Sequence, residues 1–180
     1  MKIGTFRFNT YFALAIAVII GAGCASSKSE DGAAAKKKHK RREVVLKLHL
    51  EINRDGTQRV GTATVGRSAP FTISVEKQAF LTELQVVKAE LIDALGTYSI
   101  GLQFDEKGTW ILDQYSTANK GRHFAVWAEY GEIRWIAAPK ITQRLSTGRF
   151  VFTPDVTRED AETIVDGLNY VAEKISKGRK

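Results

Sequence analysis

The sequence predicts an α+β fold: an antiparallel sheet with two helices packed on one face, preceded by additional β-strands. Three observations predict it. Beyond residue 43, apolar side chains recur at every second position through most of the chain, the period of a strand with one buried face. The period changes to three and four only twice, over 109–119 and after Thr157, as on an amphipathic helix. Both helices come late, behind a run of strands, and that order argues antiparallel pairing with helices on one side.

Each element has its own signal. Val44, Leu46, Leu48, Leu50 and Ile52 alternate with Lys47, His49 and Glu51, giving a first strand. Asn53-Arg54-Asp55-Gly56 supplies turn chemistry, because glycine accepts positive φ and aspartate can bond its own backbone. A second strand around 59–66 is expected to return beside the first as a hairpin. After Pro70, Phe71, Ile73 and Val75 alternate again, and further runs follow at 87–92 and 98–104, separated by Gly96-Thr97. The stretch 109–119 places Ile111, Tyr115 and Ala118 on one helical stripe with Leu112 beside it, and Gly121 stops it. Strands resume at 122–129 and 132–136, joined at Tyr130-Gly131, and a short one covers 149–152. In the last helix, Thr157 and Asp160 have capping-box spacing. Behind them Ala161, Ile164, Val165, Leu168, Ala172 and Ile175 form the apolar stripe.

The first 42 residues have a different character. Lys2 and Arg7 precede an apolar stretch from Tyr11 to Ile20, and Gly21-Ala22-Gly23-Cys24 follows. Charged, apolar and small-residue regions in that order make an export signal, and the apolar part is too short to span ~30 Å of hydrocarbon. The ending resembles a bacterial lipobox, although Gly21 stands where leucine is usual. That resemblance implies lipidation of Cys24, the single cysteine of the chain, with residues 1–23 removed and the membrane as a partner through the lipid anchor. Ala25, not aspartate, follows the cysteine and leans the expected location to an outer membrane facing the periplasm. Residues 24–42 read as a basic tether, whose low hydrophobicity and like charge prevent burial. One domain is expected over 43–177.

Charge narrows the function. The net +7 resides in the first 42 residues, and from Glu43 onward lysine and arginine balance aspartate and glutamate. A nucleic-acid binder shows its excess on the face that grips phosphate, so no nucleic acid is expected. No cysteine follows Cys24, and no histidine pair has ligand spacing, so neither metal nor cofactor is expected. His49 reads as lying on the polar face of the first strand and His123 beside a strand start. Asp105-Glu106 and Glu159-Asp160 read as acidic helix starts favoured by the dipole. No catalytic constellation emerges, and the chain is not expected to be an enzyme.

Several segments together resemble a known family. They are FDEKG at 104–108, TWILDQYSTANKG at 109–121, HFAVWAEYGEI at 123–133 and IAAPKI at 136–141, completed by Gly148 and the helix begun at Thr157. The stretch 104–169, and more loosely 80–170, resembles the head subdomain of the first periplasmic domain of SecD, a membrane subunit assisting bacterial protein export. The turn Glu129-Tyr130-Gly131 is one residue longer than the family's, and the family's membrane helices have no counterpart here, so proton-driven work is not expected. The resemblance implies fold first, and then binding of a protein partner or an unfolded, extended polypeptide. Candidate partner-binding residues are Trp127, on the strand face opposite Phe124 and Val126, Trp135 on the next strand, and Tyr130 between them. Two outcomes stay open: these aromatics anchor a partner, or a second layer drawn from 43–77 covers them and the domain packs structurally without a client.

Overall fold

The computed structural model describes residues 43–94 and 96–178; the expected signal, Cys24 and the tether fall outside them. Among the described residues no helix is long and apolar enough to cross a membrane. The α+β class is observed: among the described residues, nine strands form three antiparallel sheets, accompanied by two α-helices.

The first sheet has four strands in the order β4 (Leu81–Thr82), β1 (Val45–Leu50), β7 (Phe124–Glu129), β8 (Ile133–Ala137). The second is a hairpin of β2 (Val60–Val65) and β3 (Phe71–Glu76). The third runs β5 (Val86–Ala94), β6 (Thr97–Phe104), β9 (Arg149–Phe152). Helix α1 covers Glu106–Ala118 and α2 covers Arg158–Gly178.

The expected pairing of the first two strands is corrected. β1 pairs with β4 and β7, while β2 pairs with β3. Burial explains the choice. Leu46, Leu48 and Leu50 form a continuous apolar face whose side chains all enter the main core, so β1 takes an interior place. β2 buries only Ala63 and Val65, and suits an outer hairpin. His49 is corrected likewise: it is 7 % exposed, because β3 lies across its side of β1 and Glu76 O accepts a bond from its Nδ1 at 2.8 Å.

Helix α1 starts earlier than its apolar stripe. Asp105 caps it, accepting from Gly108 N at 2.8 Å, and Glu106 occupies the first turn, as the acidic-start reading expected. Its deepest residues are Gly108, Leu112 and Ser116, with Ile111 and Tyr115 partly buried beside them. Helix α2 buries Ala161, Ile164, Val165 and Leu168. At its start Thr157 Oγ1 accepts from Asp160 N at 3.2 Å and donates to the Asp160 carboxylate at 2.7 Å. Phe124, Phe150 and Phe152 join the two larger sheets in one core with Leu112 and Leu168.

Candidate functional site

Two surfaces carry features that packing alone does not account for. The first is the outer face of the four-stranded sheet. Lys47 on β1, Trp127 on β7 and Trp135 on β8 lie side by side in register. Alternation puts Trp127 opposite Val126, whose side chain fills the core. The Lys47 ammonium sits 4.9 Å from the Trp127 ring centroid, a cation–π contact. Both side chains are half-buried. Ile133, one row further along this face, is 66 % exposed.

The β2–β3 hairpin covers the other end of that face. Trp135 packs against a small cluster of Ala63, Val75 and Ala125 with Ile73, and meets His49 edge-on at 5.0 Å. Burial holds the His49 imidazolium pKa below its ordinary value, against the raising effect of the Glu76 carbonyl. The hairpin is pinned at its far end by Arg67 and Glu132 at 3.1 Å. Among the described residues, the second layer expected from 43–77 therefore covers Trp135 and leaves Ile133 exposed. Tyr130 belongs to neither state. Its N–H donates to Glu132 O at 3.1 Å, the turn folds back, and the ring enters the main core at 5 % exposure. Burial, with Asp160 and Glu132 nearby, raises its phenol pKa.

His123 pairs with Glu51: one carboxylate oxygen lies 2.8 Å from the His123 N–H and 2.7 Å from Nδ1. The pair stitches the end of β1 to the start of β7, where Glu51 N also donates to His123 O. Among the described residues no group of three histidine, cysteine or carboxylate side chains is placed to hold a metal.

The second surface was not legible in the sequence. A groove of about 420 Å³ lies between the outer edge of β9 and the strap 139–147, floored by Phe124 and Phe150. Its volume is in the range of ligand sites. The strap is held off β9 by helix α1. Ser116 Oγ, fully buried, accepts from Leu145 N at 2.9 Å, and Arg144 grips Asp113 through two nitrogens at 2.5 and 2.7 Å. Lys140, Arg144 and Arg149 line the groove with no carboxylate among its lining residues, a local departure in a charge-balanced domain. A segment reading shows Arg149–Phe152 as a strand, but its neighbours come from three separate stretches.

The pattern of the SecDF P1 head subdomain matches residues 57–170. The chain belongs to this family. The strands β2 to β9, the strap and the first part of α2 all lie inside the match, and β1 lies outside it. Among solved structures, the membrane component SecDF that enhances protein export is similar at 18 % identity with a TM-score of 0.51, covering 72 % of this chain and 63 % of that one. SecDF in a super-membrane-facing form is similar at 17 % identity with a TM-score of 0.50, covering 72 % of this chain and 19 % of that one. The chain thus spans less than two thirds of either SecDF chain, and at this identity the likeness speaks to the fold. No curated protein sequence matches the chain.

Proposed function

We propose that this SecDF head-family chain is a non-enzymatic envelope lipoprotein, anchored through Cys24, whose domain binds extended polypeptide in protein export or envelope assembly. The family match over 57–170 carries this reading. Support comes from the sheet face at Trp127 and Ile133, where apolar surface stays open beyond the hairpin. Trp127, more than Trp135, is the docking anchor: Trp135 is committed to the hairpin cluster and Tyr130 to the core.

The test uses the full-length protein and a permanently unfolded probe, reduced and alkylated lactalbumin. Trp127→Ala is expected to weaken capture about tenfold or more, with the circular dichroism spectrum unchanged. Wild-type protein that ignores the probe overturns the reading in favour of structural packing without a client. Anchoring is read separately by mass: the isolated mature protein should begin at Cys24 and carry acyl chains, at least two for stable attachment. A mature chain with an unmodified cysteine refutes that part.

A further inference from the structure

The family reading leaves open where and how a polypeptide would be held. The edges of the sheets differ in a way that answers this. The outer edge of β5 is closed by α2: Asn169 accepts from Ala89 N at 2.8 Å and donates to Ala89 O at 2.9 Å, standing in for a neighbouring strand. At β8, Ile136 O accepts from Asp155 N at 2.7 Å. Natural sheets blunt their edges in such ways, since an open edge templates pairing with another chain.

β9 is different. Phe104 N donates to Gly148 O at 3.0 Å, which fixes the phase of the β6–β9 ladder. Phe150 and Phe152, opposite Leu102 and Ile100, share that phase and bond to β6. Arg149 and Val151 are out of phase, so their N–H and C=O groups point away from β6, into the groove. Among the described residues those groups have no partner, yet Arg149 and Val151 both line a groove built and held open by buried Ser116 and the Arg144–Asp113 pair. We infer that the groove takes an extended polypeptide segment as an added strand on β9. The inference rests on the polypeptide-binding reading above and specifies its site and geometry.

The occupant follows from the groove's chemistry. A backbone in strand conformation offers donors and acceptors at the spacing that the edge groups of both Arg149 and Val151 require. About three to four residues, at ~3.3 Å each, match the length of β9. Alternate side chains then meet the Phe124 and Phe150 floor, so the bound segment alternates apolar and polar residues. Arg144 and Arg149 already hold Asp113 and Glu90, whereas Lys140 has no carboxylate partner among the described residues. A segment with an acidic residue beside its apolar ones is preferred.

The test uses the full-length chain and a fluorescent eight-residue peptide of alternating valine and threonine with aspartate at each end. A second copy of the peptide carries N-methyl groups on alternate residues, so one edge cannot hydrogen-bond. The plain peptide should bind, and the methylated one should bind at least tenfold more weakly. Val151→Pro removes an outward N–H and none to β6, in a strand position where proline is tolerated, and should cost a similar factor. Lys140→Glu should weaken the aspartate-ended peptide severalfold and spare a lysine-ended one. Strand addition is overturned if the methylated peptide binds wild type within twofold of the plain one, or if a folded Val151→Pro protein binds the plain peptide normally. It is also overturned if the wild type is a dimer that Val151→Pro renders monomeric without any peptide binding, since the edge then pairs copies. Should Val151→Pro not fold, the two peptides on wild type decide alone. Unfolded lactalbumin that still binds in either failing case leaves the polypeptide-binding reading standing while the β9 site falls.

Discussion

Gly148→Ala offers the sharpest test of how the groove is set. Gly148 has φ +70, and a Cβ built there lies 2.0 Å from Thr109 Oγ1, 2.9 Å from Thr109 Cβ and 3.1 Å from Gln103 Nε2. The first distance is far inside van der Waals contact, so the start of α1 and the start of β9 approach closely only because this residue lacks a side chain. Two costs follow. A left-handed backbone for an L-residue costs about 1–2 kcal/mol, and overpacking of a close contact about 1–3 kcal/mol, for a total near 2–5 kcal/mol. Gly121→Ala separates them: Gly121 has φ +89 and nothing within 4 Å of its built Cβ, so only the backbone cost of about 1–2 kcal/mol applies.

The double variant Thr109→Ala with Gly148→Ala removes the atom at 2.0 Å and leaves the contact at 2.9 Å. It should therefore recover part of the loss, with a coupling in the range of about 0.5–3 kcal/mol seen for touching residues. The wild-type hydroxyl gives up little, since its bond to Phe104 O is long at 3.4 Å. Denaturant unfolding at fixed m reads wild type, the Gly148, Gly121 and Thr109→Ala single variants and the double variant. Equal losses for the Gly148 and Gly121 variants, or simple additivity in the double variant, would refute the close-approach argument.

Three further outcomes check the packing. Leu168→Ala, deep in the core on α2, should cost about 2–5 kcal/mol, and Thr157→Ala at the cap about 1 kcal/mol; the opposite ranking in denaturant curves counts against the helix placement. Asn169→Leu strands the Ala89 N–H and C=O at the β5 edge and should cost about 1–3 kcal/mol, read by the same curves and by faster amide exchange at Ala89. His49 has a lowered pKa, so between that value and the unfolded ~6.5 the unfolded chain binds more protons. Its contribution is complete above pH ~6.5 and is lost as pH falls through the folded pKa. His49→Asn, which still donates to Glu76 O, should flatten that part of the stability–pH curve, and an unchanged slope refutes the assignment.

What the sequence disclosed tracks what is local. The strand at 149–152 and helix α2 were readable because alternation, a cap and a stripe at three and four are recorded within each segment. The pairing of β1 was not, since alternation reports that one face is buried and is silent on the neighbour. Two-residue β4 and the 3-10 turn at Glu83–Gln85 are too short to carry a period. His49 looked polar-facing because its cover, Glu76, lies 27 residues away. At the candidate site, the strand positions of Trp127 and Trp135 were legible, but the burial of Tyr130 depends on a turn that folds back onto the core. The β9 groove draws on residues from 124 to 151 and on a ladder phase set at Gly148, neither of which leaves a trace in any one segment.

The two surfaces also differ in what binding would demand of the fold. Freeing Trp135 requires lifting the β2–β3 hairpin, which breaks the His49–Glu76 bond and the Arg67–Glu132 pair and exposes Ala63, Val75 and Ala125. The exposed ion pair contributes little, about 0–1 kcal/mol, but opening the apolar cluster loses roughly 25 cal/mol per Å² of apolar surface returned to water. A client at Trp135 would have to repay that loss before gaining affinity. Trp127 needs only the displacement of the Lys47 ammonium, a contact of about 0.5–1 kcal/mol where solvent reaches it. The β9 edge needs no rearrangement at all, because Ser116 and Arg144 already hold the strap away from it. Preorganisation of that kind lowers the ordering cost of binding. An extended chain is therefore expected to engage β9 first and then Trp127 as its second anchor, with the hairpin left closed.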